Sequence, residues 1–180
     1  MRDTYIYLFI ILAINIATFT LLTIINSEIC KYGIFLYLPG LFFFSSCIYL
    51  NQVPGIIVCI ITGLYLDVIY TTPFGLLALL LALSYLIGRN WIKKNTNTKP
   101  WRFVLFQCLF NFLLIIICFV ILKSRDDLGF NWSVSRFLID LIISSLVIIP
   151  LAFWKIEINR IIIDNLPKRF LKNTEIHEIE

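Results

Sequence analysis

Residues 63–89 read GLYLDVIYTTPFGLLALLLALSYLIGR, and this stretch decides the fold of the chain. Its pattern predicts the end of one membrane helix, a tight turn, and a second helix that runs back. Gly63 and Asp67 are four residues apart, so they share one face of the first helix with Tyr70. An ionisable side chain at the centre of a membrane helix costs about 2.5–3.5 kcal/mol on insertion scales, and Asp67 lies nearer the helix end, where the cost is lower. The two arms are therefore expected to pack around one buried polar group.

Small residues and a helix-start signal mark the second arm of this hairpin. Gly75, Ala78 and Ala82 form a stripe that allows another helix to approach closely. Proline is favoured at the first position of a helix, so Pro73 is predicted to begin the second arm, with Thr72 as its N-cap.

The composition of the whole chain is that of a membrane protein. Of the 180 residues, 60% are hydrophobic and 14% are charged, which is far more apolar than an ordinary soluble domain. Five or six spans of roughly 20 residues use most of this length. The net charge of +4 does not indicate nucleic-acid binding, because the basic residues flank apolar spans. Residues 1–25 are expected to be a retained span, since their apolar core is too long for a signal peptide.

We therefore predict an all-α integral membrane protein, a six-span transmembrane helix bundle with a short cytoplasmic tail helix. The bundle is assigned to residues 1–154 and the charged, amphipathic tail to residues 155–180. Residues 155–166 alternate charge with isoleucine, which is typical either of a helix trailing off the last span or of a partner-binding helix. The spans are expected at about 5–25, 34–50, 54–70, 73–88, 102–122 and 136–154.

The distribution of basic residues predicts the orientation of this bundle. With six spans, eleven lysines and arginines fall on the side of the N-terminus and four fall on the opposite side. Cytoplasmic loops carry the excess of lysine and arginine in membrane proteins. Both the N-terminus and the C-terminus are therefore expected in the cytoplasm.

Polar residues inside the predicted spans are interpreted as groups that turn inward and hold helices together. An alternative is that Asp67 and Asp140, which both fall toward the outer side, relay protons or catalyse hydrolysis. Carboxylates in such places are more often hydrogen-bonded helix-end residues, and Arg136 lies one turn from Asp140 for pairing. The intramembrane polar residues are Asn15, Gln107, Asn111, Arg136 and Asp140.

No catalytic or metal-binding motif occurs in the sequence. The nucleophile elbow, the P-loop, the H-E-x-x-H zinc motif and the glycine-rich nucleotide fingerprint are all absent. The five cysteines have no C-x-x-C spacing, and the only histidine is His177 in the polar tail. We therefore expect no enzymatic activity, no cofactor and no metal site.

The hairpin resembles the central signature of the MreD family, the rod shape-determining membrane proteins of bacteria. That signature has a glycine, an apolar pair, an aspartate, a short small-residue turn and an apolar–glycine step into a helix. The residues at these positions here are Gly63, Asp67, Pro73 and Gly75, and the prolines of other predicted spans, Pro39, Pro54 and Pro150, also fit the family layout. The chain departs from the family at Leu38, where an arginine is frequent, and in its Thr-Thr-Pro turn.

The resemblance implies a non-enzymatic role in the inner (cell) membrane, within the complex that elongates the lateral wall. The implied partners are the lipid bilayer, an MreC-like bitopic protein, an MreB-like filament, and a RodA-type synthase with its transpeptidase. No nucleic-acid partner is expected.

A second function stays open at this point. Substrate-binding S-components of energy-coupling-factor vitamin importers are also six-span proteins of similar size, and the MreD family resembles their layout. Ala13 and Ala17 in the first span are similar to the small-residue contact with which those subunits dock. Residues 123–133 are the one outer loop that suits a ligand, although its residues do not form a convergent polar and aromatic cluster.

Overall fold

The computed structural model of the chain describes residues 2–70, 72–94, 100–123 and 133–165. These ranges contain no β-strand, which confirms the expected all-α fold for the described part of the chain. The α-helices are α1 (Arg2–Ile29), α2 (Phe44–Tyr49), α3 (Gln52–Tyr70), α4 (Leu76–Lys94), α5 (Pro100–Lys123) and α6 (Val134–Asp164), and two 3₁₀ turns cover Cys30–Tyr32 and Pro39–Leu41.

Every one of these helices except α2 is long and apolar enough to cross a membrane, so the described residues hold five candidate spans. At about 1.5 Å per residue, the 19 residues of α3 extend about 28 Å, close to the roughly 30 Å of a hydrocarbon core. Large apolar side chains such as Phe9, Leu79 and Leu146 are exposed on the outside of the bundle. The fold is that of a multi-pass membrane protein, whose outer surface suits contact with lipid.

Helices α3 and α4 pack backbone against backbone. A Cβ added at Gly63 would overlap the Cα and the backbone nitrogen of Ala78. In the turn between the helices, Gly75 has a φ of 90°, which glycine adopts without strain. Helix α4 begins at Leu76, so Pro73 lies three residues before the helix. The prediction that Pro73 begins this helix is therefore wrong, and the cap comes from a different residue, Asp67.

Residues 34–50, expected as the second span, do not form one continuous helix. The chain is non-helical from Ile34 to Leu38, makes the second 3₁₀ turn, and then forms the six-residue α2. Pro39 explains the break, since it has no backbone N–H and disfavours the helical conformation of the preceding Leu38. Leu38 has φ −124° and ψ 45°. We call residues 34–50 the broken span.

The broken span lies inside the bundle. Leu38, Leu41, Phe42 and Phe43 are fully buried within the main apolar core. Non-helical backbone is tolerated at membrane depth only where protein or water surrounds it, because lipid offers no hydrogen-bond partner. The position of the broken span therefore depends on the polar groups that neighbouring helices direct toward it.

Helix α6 continues past residue 154, the expected end of the last span. Residues 155–164 belong to this same helix, so the separate tail helix is not confirmed. The remainder of the expected tail, residues 166–180, lies outside the described residues, as do residues 124–132 of the expected outer loop.

Candidate functional site

Eight buried polar side chains of helices α1, α5 and α6 converge on the broken span. Four of them are among the five intramembrane polar residues predicted from the sequence, and the other four were not predicted as such. The contributors are Asn15 and Asn26 from α1, Gln107 and Asn111 from α5, and Asp140, Ser144, Lys155 and Asn159 from α6.

Helix α6 holds the first residues of the broken span through two backbone N–H groups. The N–H of Phe35 donates to Oδ1 of Asp140 at 2.9 Å, and the N–H of Tyr37 donates to Oγ of Ser144 at 2.9 Å. The two acceptors lie four residues apart on α6, which is about 6.0 Å along the helix axis. They therefore bind alternate N–H groups of the non-helical segment.

Helix α1 satisfies the residue between these two. Asn26 accepts from the N–H of Leu36 at 2.9 Å and donates from Nδ2 to its carbonyl at 3.0 Å. One carboxamide thus completes both backbone groups of Leu36, as a neighbouring strand would in a sheet.

Helix α5 holds the middle of the broken span at Gly40. The N–H of Gly40 donates to Oδ1 of Asn111 at 2.9 Å, and its carbonyl accepts from Nε2 of Gln107 at 3.2 Å. A Cβ added at Gly40 would lie 2.6 Å from the Cβ of Asn111, closer than real side chains approach. Glycine is therefore required here for a close approach between the broken span and α5.

Lys155 reaches the broken span where the 3₁₀ turn ends. The side chain is buried, with 2% of its surface exposed. Its Nζ donates to Oδ1 of Asn15 at 2.8 Å and to the carbonyl of Leu41 at 3.0 Å, and it lies 4.4 Å from the ring centroid of Phe42. Asn15 in turn donates from Nδ2 to the carbonyl of Phe42 and to Oγ1 of Thr62 on α3, each at 3.2 Å. This network joins α1, α3 and α6 to the broken span.

The contacts with α6 extend along most of that helix. One turn after Lys155, Nδ2 of Asn159 donates to Oγ of Ser45 in α2 at 2.7 Å. As the broken span advances from Phe35 to Ser45, its partners on α6 advance from Asp140 to Asn159. Nineteen helical residues correspond to about 28 Å. The broken span therefore runs in the same direction as α6 over a distance close to the thickness of a hydrocarbon core.

Asp67 forms a second polar centre, in the α3–α4 hairpin. Only 1% of this residue is exposed. Its Oδ1 accepts from Oγ1 of Thr72 at 2.6 Å and from the N–H of Leu77 at 2.9 Å, and its Oδ2 accepts from the N–H of Gly75 at 2.9 Å. The carboxylate thus satisfies N–H groups at the start of α4, where a negative group also complements the helix dipole.

The other residues singled out in the hairpin have different surroundings. Ala78 is buried against Gly63 of α3, whereas Ala82 is half-buried.

Arg136, expected among the intramembrane polar groups, is exposed in the first turn of α6, and Ser133 accepts from its backbone N–H. The structure therefore brings Asn15, Gln107, Asn111 and Asp140 to the broken span, and leaves Arg136 at the surface.

The end of the broken span that follows α2 is held by α4. Arg89 donates from one Nη1 to the carbonyl of Leu50 and to the hydroxyl of Tyr85, the latter at 2.6 Å. Tyr85 donates to the carbonyl of Asn51 at 3.0 Å. Sequence reasoning placed Arg89 among the basic residues of a cytoplasmic loop and did not predict this role.

Lys155 and Asn159 were missed for a related reason. Both were placed in the charged tail because the last span was expected to end at residue 154. The sequence does contain a signal for them. Lys155 and Asn159 are four residues apart and continue the polar face that Asp140 and Ser144 begin on the same helix.

The chemistry of this arrangement is mainly that of holding a backbone. The carboxylates of Asp67 and Asp140 accept hydrogen bonds from main-chain N–H groups. Within the described residues, no three histidine, cysteine or acidic side chains are grouped so that they could bind a metal ion. The polar groups near the broken span fix a non-helical segment at membrane depth.

Comparisons with protein-family models, with curated proteins and with solved structures find no match to this chain.

Proposed function

We propose that this protein is a non-enzymatic membrane scaffold of the bacterial cell-elongation complex, related in role to the MreD family. The observation that carries the proposal is the linkage of Asp67 to Gly75 in the hairpin. Gly63, which also belongs to the signature, packs against the first turn of α4 at Ala78. Three of the four signature residues, Gly63, Asp67 and Gly75, therefore take part in the packing and capping of one hairpin.

The use of the buried polar groups also supports a scaffold. Asn15, Gln107, Asn111 and Asp140 direct hydrogen bonds to the backbone of the broken span. A catalytic group must be within reach of a substrate, whereas these groups are engaged in holding the bundle together. The function then depends on the shape and surface of the bundle.

A six-crossing topology, with both termini in the cytoplasm of a bacterial cell, belongs to this proposal. Its support is the register between the broken span and α6, which run in the same direction over about 28 Å. If the broken span crosses the membrane, five long helices and one interrupted crossing place both ends of the chain on one side. The excess of lysine and arginine on that side then matches the positive-inside rule.

The partners in this proposal are membrane proteins and the filament beneath them. An MreC-like bitopic protein and a RodA-type synthase with its transpeptidase would bind through helix contacts in the lipid. An MreB-like filament would meet the basic cytoplasmic side, where Lys93 and Lys94 end α4.

Complementation in a rod-shaped bacterium depleted of its own MreD-like protein tests the function. Expression of this chain is expected to restore rod shape, and an affinity tag on it is expected to recover an MreC-like protein from detergent-solubilised membranes. The matched control is Asp67→Leu, which should abolish both results. Normal membrane levels without rescue and without MreC recovery would refute the scaffold. Recovery of a pair of ATPases instead would favour the vitamin-importer subunit.

A further inference from the structure

Lys155 is a buried cation surrounded by neutral groups. Its ammonium is held by the carboxamide of Asn15, the carbonyl of Leu41 and the ring face of Phe42. The ion pairs among the described residues are Lys31–Glu28 and Arg160–Glu157, both exposed. In this part of the chain, Lys155 therefore has no carboxylate partner.

Packing alone does not explain a charge at this position. Burying a charge without an ionic partner is costly, and ionisable residues inside membrane segments are usually functional. What the ammonium of Lys155 adds is a strong, charge-assisted hydrogen bond to the carbonyl of Leu41, the last residue of the 3₁₀ turn that precedes α2. This hydrogen bond therefore helps to fix the position of α2.

Helix α2 has a joint at each end. The 3₁₀ turn of Pro39–Leu41 precedes it, and Leu50 follows it in an extended conformation, with φ −115° and ψ 148°. A helix of six residues is too short to be stable by itself, so contacts with other elements decide where it lies. Near its first turn these contacts come from α6, through Lys155 and Asn159.

We propose that Lys155, with Asn15, is a releasable latch that holds α2 inside the bundle. When the latch is lost, the first turn of α2 moves away from α6 about the preceding 3₁₀ turn and Cys47 loses its packing against α4, while Tyr85 and Arg89 keep Leu50 in place. The residues of the broken span that precede the 3₁₀ turn stay in place, because Asp140, Ser144 and Asn26 hold them independently. This conformational device does not rest on the proposed scaffold function.

Two native cysteines report on the latch. Cys47 lies on α2 and is buried, and its sulfur would be 3.1 Å from a Cβ added at Gly88 of α4. Cys118 is also buried, but it lies on α5. Of these two thiols, release of α2 exposes only Cys47, whereas general loosening of the bundle exposes both.

The experiment compares maleimide labelling of the two thiols in membranes, resolved by mass spectrometry of the labelled peptides. In Lys155→Met, Cys47 is expected to react at least about tenfold faster than in the unmodified chain, while Cys118 keeps its rate. The matched control is Arg160→Met, which removes a positive charge from an exposed position of the same helix. This control should leave both rates unchanged.

Each remaining outcome overturns the latch. An unchanged rate at Cys47 in Lys155→Met means that the charge does not hold α2, and an equal rise at Cys118 means that the whole bundle has loosened. If Lys155→Met does not accumulate in membranes, Lys155→Gln, which keeps a hydrogen-bond donor without the charge, is measured by the same criteria. Failure of both variants to accumulate makes Lys155 a requirement for folding rather than a releasable contact.

Discussion

Gly63 of α3 lies directly against the backbone of Ala78 in α4, with no room for a side chain between them. Helix association in lipid depends on close van der Waals packing, because burial of apolar groups gives little advantage over contact with lipid. This contact therefore fixes the distance between the two arms of the hairpin. It also shows that at least one member of the small-residue stripe, Ala78, is used within the protein.

Gly63→Ala is the most direct test of this contact. The added methyl group meets backbone atoms, which cannot move as a flexible side chain can, so we expect a loss of about 1–3 kcal/mol in the free energy of unfolding. Heating the detergent-solubilised protein and measuring the fraction that stays monodisperse will reveal the loss. The control is Ala13→Leu on the exposed face of α1, which should keep the unmodified stability. Equal stability of Gly63→Ala and the unmodified chain would contradict the contact.

Substitutions at Asp67 separate its three hydrogen bonds. Asp67→Asn keeps an oxygen for Thr72 and Leu77 but turns an amide donor toward the N–H of Gly75, so a loss of about 1–2 kcal/mol is expected. Asp67→Leu removes all three acceptor contacts and should cost about 3 kcal/mol or more. The same thermal assay measures both variants. If Asp67→Leu is as stable as Asp67→Asn, the carboxylate does not cap α4.

The sequence predicted the helical hairpin and the type of residue inside it, but it did not predict where the polar groups point. Asn111 and Asp140 were interpreted as links between helices, which is the usual role of such residues in a membrane bundle. They bind instead to backbone groups of the broken span. Hydropathy identifies a buried segment equally well when it is helical or not, so the adjacent Pro39 and Gly40 were the local sign of the break, and they predicted a bend rather than a non-helical segment.

The end of the last span was harder to place for a different reason. A lysine lowers the hydropathy of a window wherever its side chain points, and Lys155 was therefore assigned to the cytoplasmic side. Its partners Asn15 and Leu41 are more than a hundred residues away in the chain. The spacing of Lys155 and Asn159 indicates the helix face that they share, but only the tertiary structure shows which partners that face contacts.

Asn26 offers a test of the role assigned to the polar side chains. Asn26→Leu leaves both backbone groups of Leu36 without their partner in the bundle, so we expect a loss of about 2–4 kcal/mol. Ser27→Ala is the control, because the hydroxyl of Ser27 is exposed and bonds to the carbonyl of Ile24 in its own helix. Thermal stability in detergent distinguishes the two. Comparable small losses in both variants would mean that the broken span does not depend on α1.

Single-cysteine labelling tests the orientation in intact cells. We expect Lys94→Cys, at the end of α4, to be protected from a membrane-impermeant maleimide, and Asp126→Cys, in the loop between α5 and α6, to be labelled. The reason is the excess of basic residues on the side of Lys94. Permeabilised cells provide the control, since both positions should then react. Labelling of position 94 from outside intact cells would exclude the six-crossing topology with cytoplasmic termini.

The last prediction concerns which part of the small-residue stripe is available to a partner. Ala78 is buried against α3, so Ala78→Leu should force the hairpin apart and lower the amount of protein in the membrane. Ala82 lies one turn further along α4 and is only half-buried. We expect Ala82→Leu to accumulate normally, because part of the added side chain can extend into lipid.

If a partner helix packs at this edge of α4, Ala82→Leu should reduce recovery of an MreC-like protein severalfold at an unchanged membrane level, since a bulky residue keeps a neighbouring helix away. Leu83→Ala, at an exposed neighbouring position, controls for changes in the lipid-facing surface. Affinity purification from equal amounts of membrane protein gives the comparison. Undiminished recovery with Ala82→Leu would show that assembly uses another face of the bundle, whereas loss of the variant itself would assign Ala82, like Ala78, to the packing of the hairpin.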